Sequence, residues 1–143
     1  MKRRIALLSG AGLALAAAAV AQAQAPAHPG RERVVIQVST PDQRLWNQAF
    51  NYLENLREIY GPDNIELEIV ALGFGIGVLK LESTQGPRVA EALKAGVHVS
   101  ACEVTMRRQK LTRDDMLPNL GYVPAGLGQI IKRQREGWAY ISA

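Results

Sequence analysis

The hydrophobic and polar positions after residue 32 form two alternating kinds of pattern. Five stretches are apolar or rich in β-branched residues and have the length of strands: RVVIQVS (33–39), IELEIVAL (65–72), VHVSA (97–101), a brief one within LGYVPAG (120–126) and WAYIS (138–142). The second of these begins with strict alternation and ends in a continuous apolar run. That ending is typical of a strand buried on both faces of a parallel sheet.

Helical periodicity separates these strands. Residues 41–60 predict an amphipathic helix with Thr40 as its cap and an apolar stripe formed by Leu45, Ala49, Leu53, Leu56 and Tyr60, widened by Trp46 and Phe50. A second helix is predicted over 87–95, and a single helical turn follows Thr112. The last helix, over 127–137, is expected to turn Leu127, Ile130 and Ile131 inward.

The resulting order is β-α-β-α-β-α-β-α-β. Strands that alternate with helices predict right-handed crossovers and an α/β fold, with a mostly parallel five-stranded sheet between helices on both faces. No internal repeat or interior linker divides the pattern, so residues 33–143 are expected to form one domain.

Residues 1–25 have the three parts of a secretory signal peptide. Residues 2–4 are basic, residues 5–20 form an unbroken small and apolar run, and small-x-small cleavage patterns end at Ala23 and Ala25. The apolar run is shorter than the roughly 20 residues that a permanent span requires. We expect cleavage, export to the periplasm by the general secretory route rather than the twin-arginine route, and no stable membrane span afterwards.

Removal of the signal peptide changes the charge balance. The 17 Lys and Arg residues lose three, which leaves 14 against 13 acidic residues. A nearly neutral chain lacks the positive field that nucleic-acid binding requires, so we expect no nucleic-acid partner. The chain that remains after cleavage consists of a flexible leader, predicted at 26–32, and the domain. It contains one cysteine and therefore no internal disulfide.

Candidate chemistry lies where the predicted strands end, because ligands of open α/β sheets bind at the carboxyl ends of the strands. Ser39-Thr40, the glycine segment 73–77 and Cys102 occupy three such ends. The glycine segment has the spacing G-x-G-x-G after the second strand, which differs from the G-x-G-x-x-G of dinucleotide sites. We interpret Gly73 and Gly75 as a tight turn that lines a pocket.

Cys102 leaves two interpretations open. A thiolate that opens a helical segment gains from backbone N–H groups, and Arg107 and Arg108 lie close enough along the chain to add positive charge. Glu103 acts in the opposite direction and favours the neutral thiol. Free cysteine is also among the most buried residue types, so a structural role is equally compatible with this position.

His98 is not expected to pair with Cys102. Both side chains lie on the same face of the third strand, but four residues separate them, about 13 Å at 3.3 Å per residue. We therefore interpret His98 as structural. With one cysteine, two histidines and no clustered carboxylates, we predict no metal site and no cofactor. A metal or haem held between subunits by Cys102 and His98 is the least favoured hypothesis.

Several segments together resemble one known family. IELEIVALGFGIGVLKLE, AGVHVSACEVTMRR and LTRDDMLPNLGYVPAGLGQIIKRQREGWAYI are similar to the DsrE/DsrF-like proteins, in particular to the small exported, stand-alone branch. The resemblance covers residues 33–141. It implies a flavodoxin-like three-layer α/β/α fold and assembly into trimers or hexamers.

The resemblance also implies a role for the cysteine. Cys102 and Thr105 match the family's Ala-Cys-x-x-Thr segment, whose cysteine carries persulfide sulfur in better understood relatives. The first hypothesis is a periplasmic protein in which Cys102 takes sulfane sulfur from a small sulfur species and passes it to a partner thiol. Gly73, Gly75, Glu103 and Thr105 would shape its site, and Arg107 or Arg108 would steer an anionic donor. The alternative is a non-enzymatic oligomeric module, with a structural cysteine and subunit contacts near 138–141.

Overall fold

The computed structural model describes residues 30–143. The predicted signal peptide (1–25) and residues 26–29 of the predicted leader lie outside this range. The strands are β1 (Glu32–Val38), β2 (Ile65–Ala71), β3 (His98–Cys102), β4 (Gly121–Val123) and β5 (Ala139–Ser142), and the helices are α1 (Gln43–Tyr60), α2 (Gly86–Lys94), α3 (Glu103–Arg108) and α4 (Gly126–Arg135). Short 3₁₀ helices occupy Gly73–Leu79 and Arg113–Asp115.

The five strands form one sheet in the order β4-β3-β2-β1-β5, and every neighbouring pair is parallel. The predicted three-layer α/β fold is therefore confirmed, and the sheet is entirely rather than mostly parallel. Strand β1 lies between β2 and β5, and β2 lies between β1 and β3. The apolar run in β2 is explained by this position, because a strand with neighbours on both sides and helices on both faces meets little water.

One face of the sheet packs against α1 and α2 and holds the larger hydrophobic cluster. It includes Trp46, Ala49, Phe50 and Leu53 of α1, all buried, as the helical stripe predicted. Two details of α1 differ from the expectation. Its cap is Asp42, which has an extended backbone conformation and whose side chain accepts the Arg44 N–H. Tyr60, in the last turn, is 43% exposed.

The opposite face packs against α4 through a smaller cluster formed by Val35, Val70, Ile130 and Trp138. The expectation that Leu127 and Ile131 point inward was wrong, since they are 61% and 49% exposed. Ile130 and Gly126, four residues apart, form the inward stripe of this short helix, and the neighbouring stripe faces away from the sheet.

The glycine segment that follows β2 forms the 3₁₀ helix Gly73–Leu79 rather than a tight turn. A side chain on Gly75 would place a Cβ 2.2 Å from the carbonyl oxygen of Val38 and 2.7 Å from the nitrogen of Ser39. The 3₁₀ helix can lie this close to the end of β1 only because Gly75 has no Cβ. The turn predicted at Thr112 is confirmed as a short 3₁₀ helix with a capping box between Thr112 and Asp115.

Gly75→Ala should destabilise the fold. The added methyl group overlaps a backbone carbonyl, so the strand ends must shift, and we expect a loss of about 1–3 kcal/mol in the free energy of unfolding. Urea denaturation measures this loss. The matched control is Gly128→Ala, where the new Cβ meets only the Ala125 Cβ at 3.7 Å and the helix gains propensity. Equal stability of Gly75→Ala and wild type would show that the strand ends do not need a glycine.

Candidate functional site

Cys102 is the last residue of β3, and α3 begins at the next residue. Its side chain is 4% exposed. The backbone N–H of Gly126, the first residue of α4, donates a hydrogen bond to the Cys102 sulfur at 3.1 Å. The preceding residue, Ala125, provides no side-chain cap for this helix. The cysteine sulfur therefore accepts one of the N–H groups that the start of a helix leaves without a partner.

The residue at 126 must be small for this contact to form. A Cβ there would lie 3.0 Å from the Leu72 Cβ, 3.2 Å from the Cys102 Cβ and 3.4 Å from its sulfur. The two separations from Cβ atoms are tighter than ordinary van der Waals contacts. Glycine therefore lets the start of α4 lie directly against the end of β3.

Thr105 joins the end of β2 to the cysteine segment. Its hydroxyl oxygen accepts the N–H of Gly73 at 2.9 Å, and the side chain of Gln109 donates to the Gly73 carbonyl oxygen at 3.0 Å. Because the Gly73 N–H uses an oxygen lone pair, the hydroxyl hydrogen of Thr105 is free to point at the Cys102 sulfur.

Two opposing effects act on the ionisation of Cys102. Burial raises the pKa of its thiol, while hydrogen bonding from the Thr105 side chain and from the backbone N–H groups of Thr105, Gly126 and Val104 lowers it. The hydrogen bonds outweigh the burial, so the pKa lies below the ordinary value of a cysteine. The site thus favours the thiolate, which is the nucleophilic form of the side chain.

The residues proposed for the site from the sequence divide into two groups. Cys102, Thr105 and Gly73 are brought together, and Gly75 lies in the same 3₁₀ helix as Gly73 but packs against β1. Glu103, Arg107 and Arg108 belong to α3: Glu103 is partly exposed in its first turn, and the two arginines are exposed in its last turn. The pKa of Cys102 is lowered by hydrogen-bond donors rather than by the arginines, whose part in binding stays a prediction.

His98 lies at the opposite end of β3 from Cys102. Its ring is half exposed, and its Nε2 atom is 3.4 Å from a carboxylate oxygen of Glu66. Within residues 30–143, no group of three or more His, Cys, Asp or Glu side chains is arranged to hold a metal ion. No helix in the same range combines the length and the apolar character of a membrane span.

Sequence reasoning missed two positions whose contacts lie near Cys102. Gly126 follows β4 at the carboxyl edge of the sheet and is the first residue of α4. A glycine at the start of a helix, at the sheet edge where ligands bind, was the sequence signal for this position. Glu68 is the last residue of the alternating part of β2, directly before the apolar run, yet it is only 1% exposed. Its position among apolar residues on a central strand was the available signal.

The geometry defines a class: a three-layer α/β protein with one buried, hydrogen-bonded cysteine at the carboxyl edge of its sheet. The family model of the DsrE/DsrF-like family matches residues 11–143, and the chain belongs to this family. Membership indicates a function related to sulfur relay. A search of curated proteins finds no match to this chain.

Solved structures have the same fold. A protein of unknown function from Methanobacterium thermoautotrophicum is 32% identical, with a TM-score of 0.75, over 78% of this chain and 99% of that one. A conserved protein of unknown function from Bacteroides thetaiotaomicron is 14% identical, with a TM-score of 0.62, over 78% and 95%. The YchN protein from E. coli is 9% identical, with a TM-score of 0.63, over 79% and 99%. The last two similarities concern the fold alone.

The lowered pKa of Cys102 predicts how stability depends on pH. Below the folded-state pKa both the folded and the unfolded protein hold the thiol proton, so the ionisation of Cys102 adds nothing to the free energy of unfolding. As the pH rises towards the ordinary cysteine pKa of 9.0, the folded state loses its proton first and gains stability by at most about 1.4 kcal/mol per pH unit. The free energy of unfolding of wild type minus that of Cys102→Ala should therefore increase with pH and level off above this value.

Denaturant titrations under reducing conditions, from pH 5 to pH 9.5, measure this difference. The other ionisable groups are shared by both proteins and cancel. A difference that decreases with rising pH would mean that the folded state favours the neutral thiol, which is the opposite of the lowered pKa.

Proposed function

We propose that this chain is an exported sulfur-handling protein in which Cys102 carries sulfane sulfur as a persulfide, with sulfurtransferase-like activity. The observation that carries the proposal is the hydrogen bond from the Gly126 N–H to the Cys102 sulfur, because it stabilises an anionic sulfur where two helices begin. Membership of the DsrE/DsrF-like family supports sulfur chemistry at this cysteine. The signal peptide predicted at 1–25 supports export to the periplasm.

The transfer is written in two displacement steps. In the first, the Cys102 thiolate attacks the outer sulfur of a donor such as thiosulfate, so a sulfur–sulfur bond forms on the protein, the donor's sulfur–sulfur bond breaks and sulfite leaves with the electron pair. In the second, the thiolate of a partner attacks the outer sulfur of the Cys102 persulfide, and the Cys102 thiolate is released. The steps together use no external oxidant or reductant. The N–H groups that hold the thiolate can also hold the negative charge of the persulfide.

Two exposed apolar side chains border the site. Phe74 follows Gly73 and is 75% exposed, and Leu127 follows Gly126 and is 61% exposed. Each adjoins a glycine whose N–H is used at the site, one by Thr105 and one by Cys102. We infer that a sulfur donor or a partner thiol approaches Cys102 between these two side chains.

Treatment with thiosulfate or polysulfide should add about 32 Da to the native protein, the mass of one sulfur atom on Cys102. Intact-mass spectrometry detects the adduct, and Cys102→Ser should carry none. An unmodified wild type, or equal adducts on Cys102→Ser, would contradict the proposal.

The predicted role of the arginines has its own control in the same assay. The double variant Arg107→Gln/Arg108→Gln should take up sulfur from anionic thiosulfate several-fold more slowly, because steering depends on charge. Its alkylation by neutral iodoacetamide should proceed at the wild-type rate. Equal thiosulfate rates in the two proteins would remove the arginines from the site.

The alternative function is a non-enzymatic oligomeric module in which Cys102 is structural. It is favoured by one observation, the 4% exposure of the side chain. Reaction of the native thiol with iodoacetamide distinguishes the two functions. Labelling without denaturant fits sulfur carriage, whereas labelling in denaturant alone fits the structural role.

We also propose that the chain assembles with copies of itself into a trimer or hexamer. The sequence predicted subunit contacts near residues 138–141, but only part of this region is exposed. Trp138 is buried within the subunit, while Tyr140 is 42% exposed. Tyr140 lies on the same sheet face as α4, which presents Leu127 and Ile131 to the outside. These three exposed apolar side chains lie on one side of the sheet and are called the apolar patch below; subunit contacts commonly cover side chains of this kind.

Ile131→Lys should shift the assembly towards the monomer, because it places a charge in the apolar patch. Light scattering after size exclusion, on the chain from residue 26, measures the mass. The control is Ile59→Lys, on the opposite side of the sheet in α1, where the wild-type side chain is 69% exposed; it should keep the wild-type mass. A monomeric wild type would contradict the proposal.

A further inference from the structure

Glu68 is a buried carboxylate that the proposed sulfur chemistry does not use. It lies on β2 with 1% exposure, in the middle of the sheet. A charge in this position is costly unless every oxygen atom has partners. Its partners therefore show what the charge is kept for.

The partners of Glu68 come from the two elements that meet at Cys102. One carboxylate oxygen accepts the hydroxyl of Ser100 on β3 and the side-chain amide of Gln129 on α4, both at 2.9 Å. The other oxygen accepts from the guanidinium of Arg133, one turn further along α4. Glu68 thus binds β3 at one point and α4 at two.

These contacts lie directly beside the cysteine. Ser100 is two residues before Cys102 on the same face of β3, and Gln129 is three residues after Gly126 in α4. The distance between the Gly126 N–H and the sulfur depends on how β3 and α4 lie relative to each other. Glu68 has hydrogen-bond partners on both elements.

We propose that Glu68 is a positioning residue for Cys102, whose buried carboxylate ties α4 to β3 so that the Gly126 N–H stays on the Cys102 sulfur. The inference deepens the proposed function and rests on it for its purpose. Its geometry concerns the protein alone, so it can be tested without any sulfur donor.

The charged groups around this network determine how a test must be designed. Arg133 faces Glu68 from α4 and is itself paired with Glu136 at 3.1 Å. His98 is the register partner of Glu68 on β3, and Glu103 is adjacent to Cys102 in sequence. Removal of the Glu68 charge would by electrostatics alone lower the thiol pKa, because it removes a negative charge and frees a positive one. Loss of positioning acts in the opposite direction.

The experiment measures the pH dependence of the alkylation rate of Cys102 by iodoacetamide, with Glu68→Gln and Gln129→Leu as the variants. Gln129→Leu removes one tie without changing any charge. Each variant should raise the thiol pKa by about 0.5–1 unit, which slows alkylation at pH 6.5 by about 3- to 10-fold and leaves the plateau at high pH unchanged. The control Lys132→Gln, on the exposed side of the same helix, should match wild type.

Ser100→Ala is the milder variant in case Glu68→Gln does not fold, as judged by circular dichroism. It frees Glu68 from β3 alone and should shift the pKa in the same direction by less. An unchanged pKa in both Gln129→Leu and Ser100→Ala, or a fall in Glu68→Gln, would overturn the inference and leave Glu68 a purely structural residue. If the variants shift the thiol pKa as expected but the wild-type protein forms no persulfide with thiosulfate, the positioning role stands and the proposed function is contradicted.

Discussion

The close approach of α4 to the end of β3 is the constraint on which the site depends. The first N–H of α4 reaches the Cys102 sulfur because residue 126 has no side chain, and any Cβ there would press on both Leu72 and Cys102. The sulfur in turn accepts a hydrogen that the helix would otherwise leave without a partner. The structural and chemical roles of Cys102 are therefore joined, since the contact that packs the helix also stabilises the thiolate.

The two faces of the sheet differ in what they contribute. The face against α1 and α2 contains most of the buried apolar side chains and provides most of the hydrophobic stability. The face against α4 combines a small apolar cluster with the Glu68 network, where Arg133 also lies 4.4 Å from the centre of the Trp138 ring. A fully apolar replacement of that network would cost less desolvation. Its retention is understandable if a defined position of α4 matters more than the stability gained by removing the charge.

The sequence predicts the sheet well because the strand periods and the intervening helices leave few alternatives for a chain of this size. The local residue types explain most of the elements, including the capping box at Thr112 and Asp115. The site is less predictable. Gly126 and Glu68 act through contacts between residues far apart in sequence, and no local pattern shows that their elements will meet. The misplaced Leu127 and Ile131 have a related cause, since a ten-residue helix with apolar residues on two stripes does not reveal which stripe meets the sheet.

The exposed arginines illustrate a different limit. Nearness along the chain suggested that Arg107 and Arg108 would activate the cysteine, but α3 carries them to its far end, where they complement the negative end of its dipole. Backbone N–H groups and the Thr105 hydroxyl take that part instead. These donors belong to α3 and to the first residue of α4.

The chemistry proposed for this site requires that the folded protein hold Cys102 as a thiolate more readily than an ordinary cysteine. Ultraviolet absorbance near 240 nm, where thiolates absorb, followed against pH in the native protein with Cys102→Ser as the blank, measures this directly. The hydrogen bonds to the sulfur lower the pKa and predict half-ionisation below the ordinary cysteine value of 9.0. A midpoint at or above that value would contradict it.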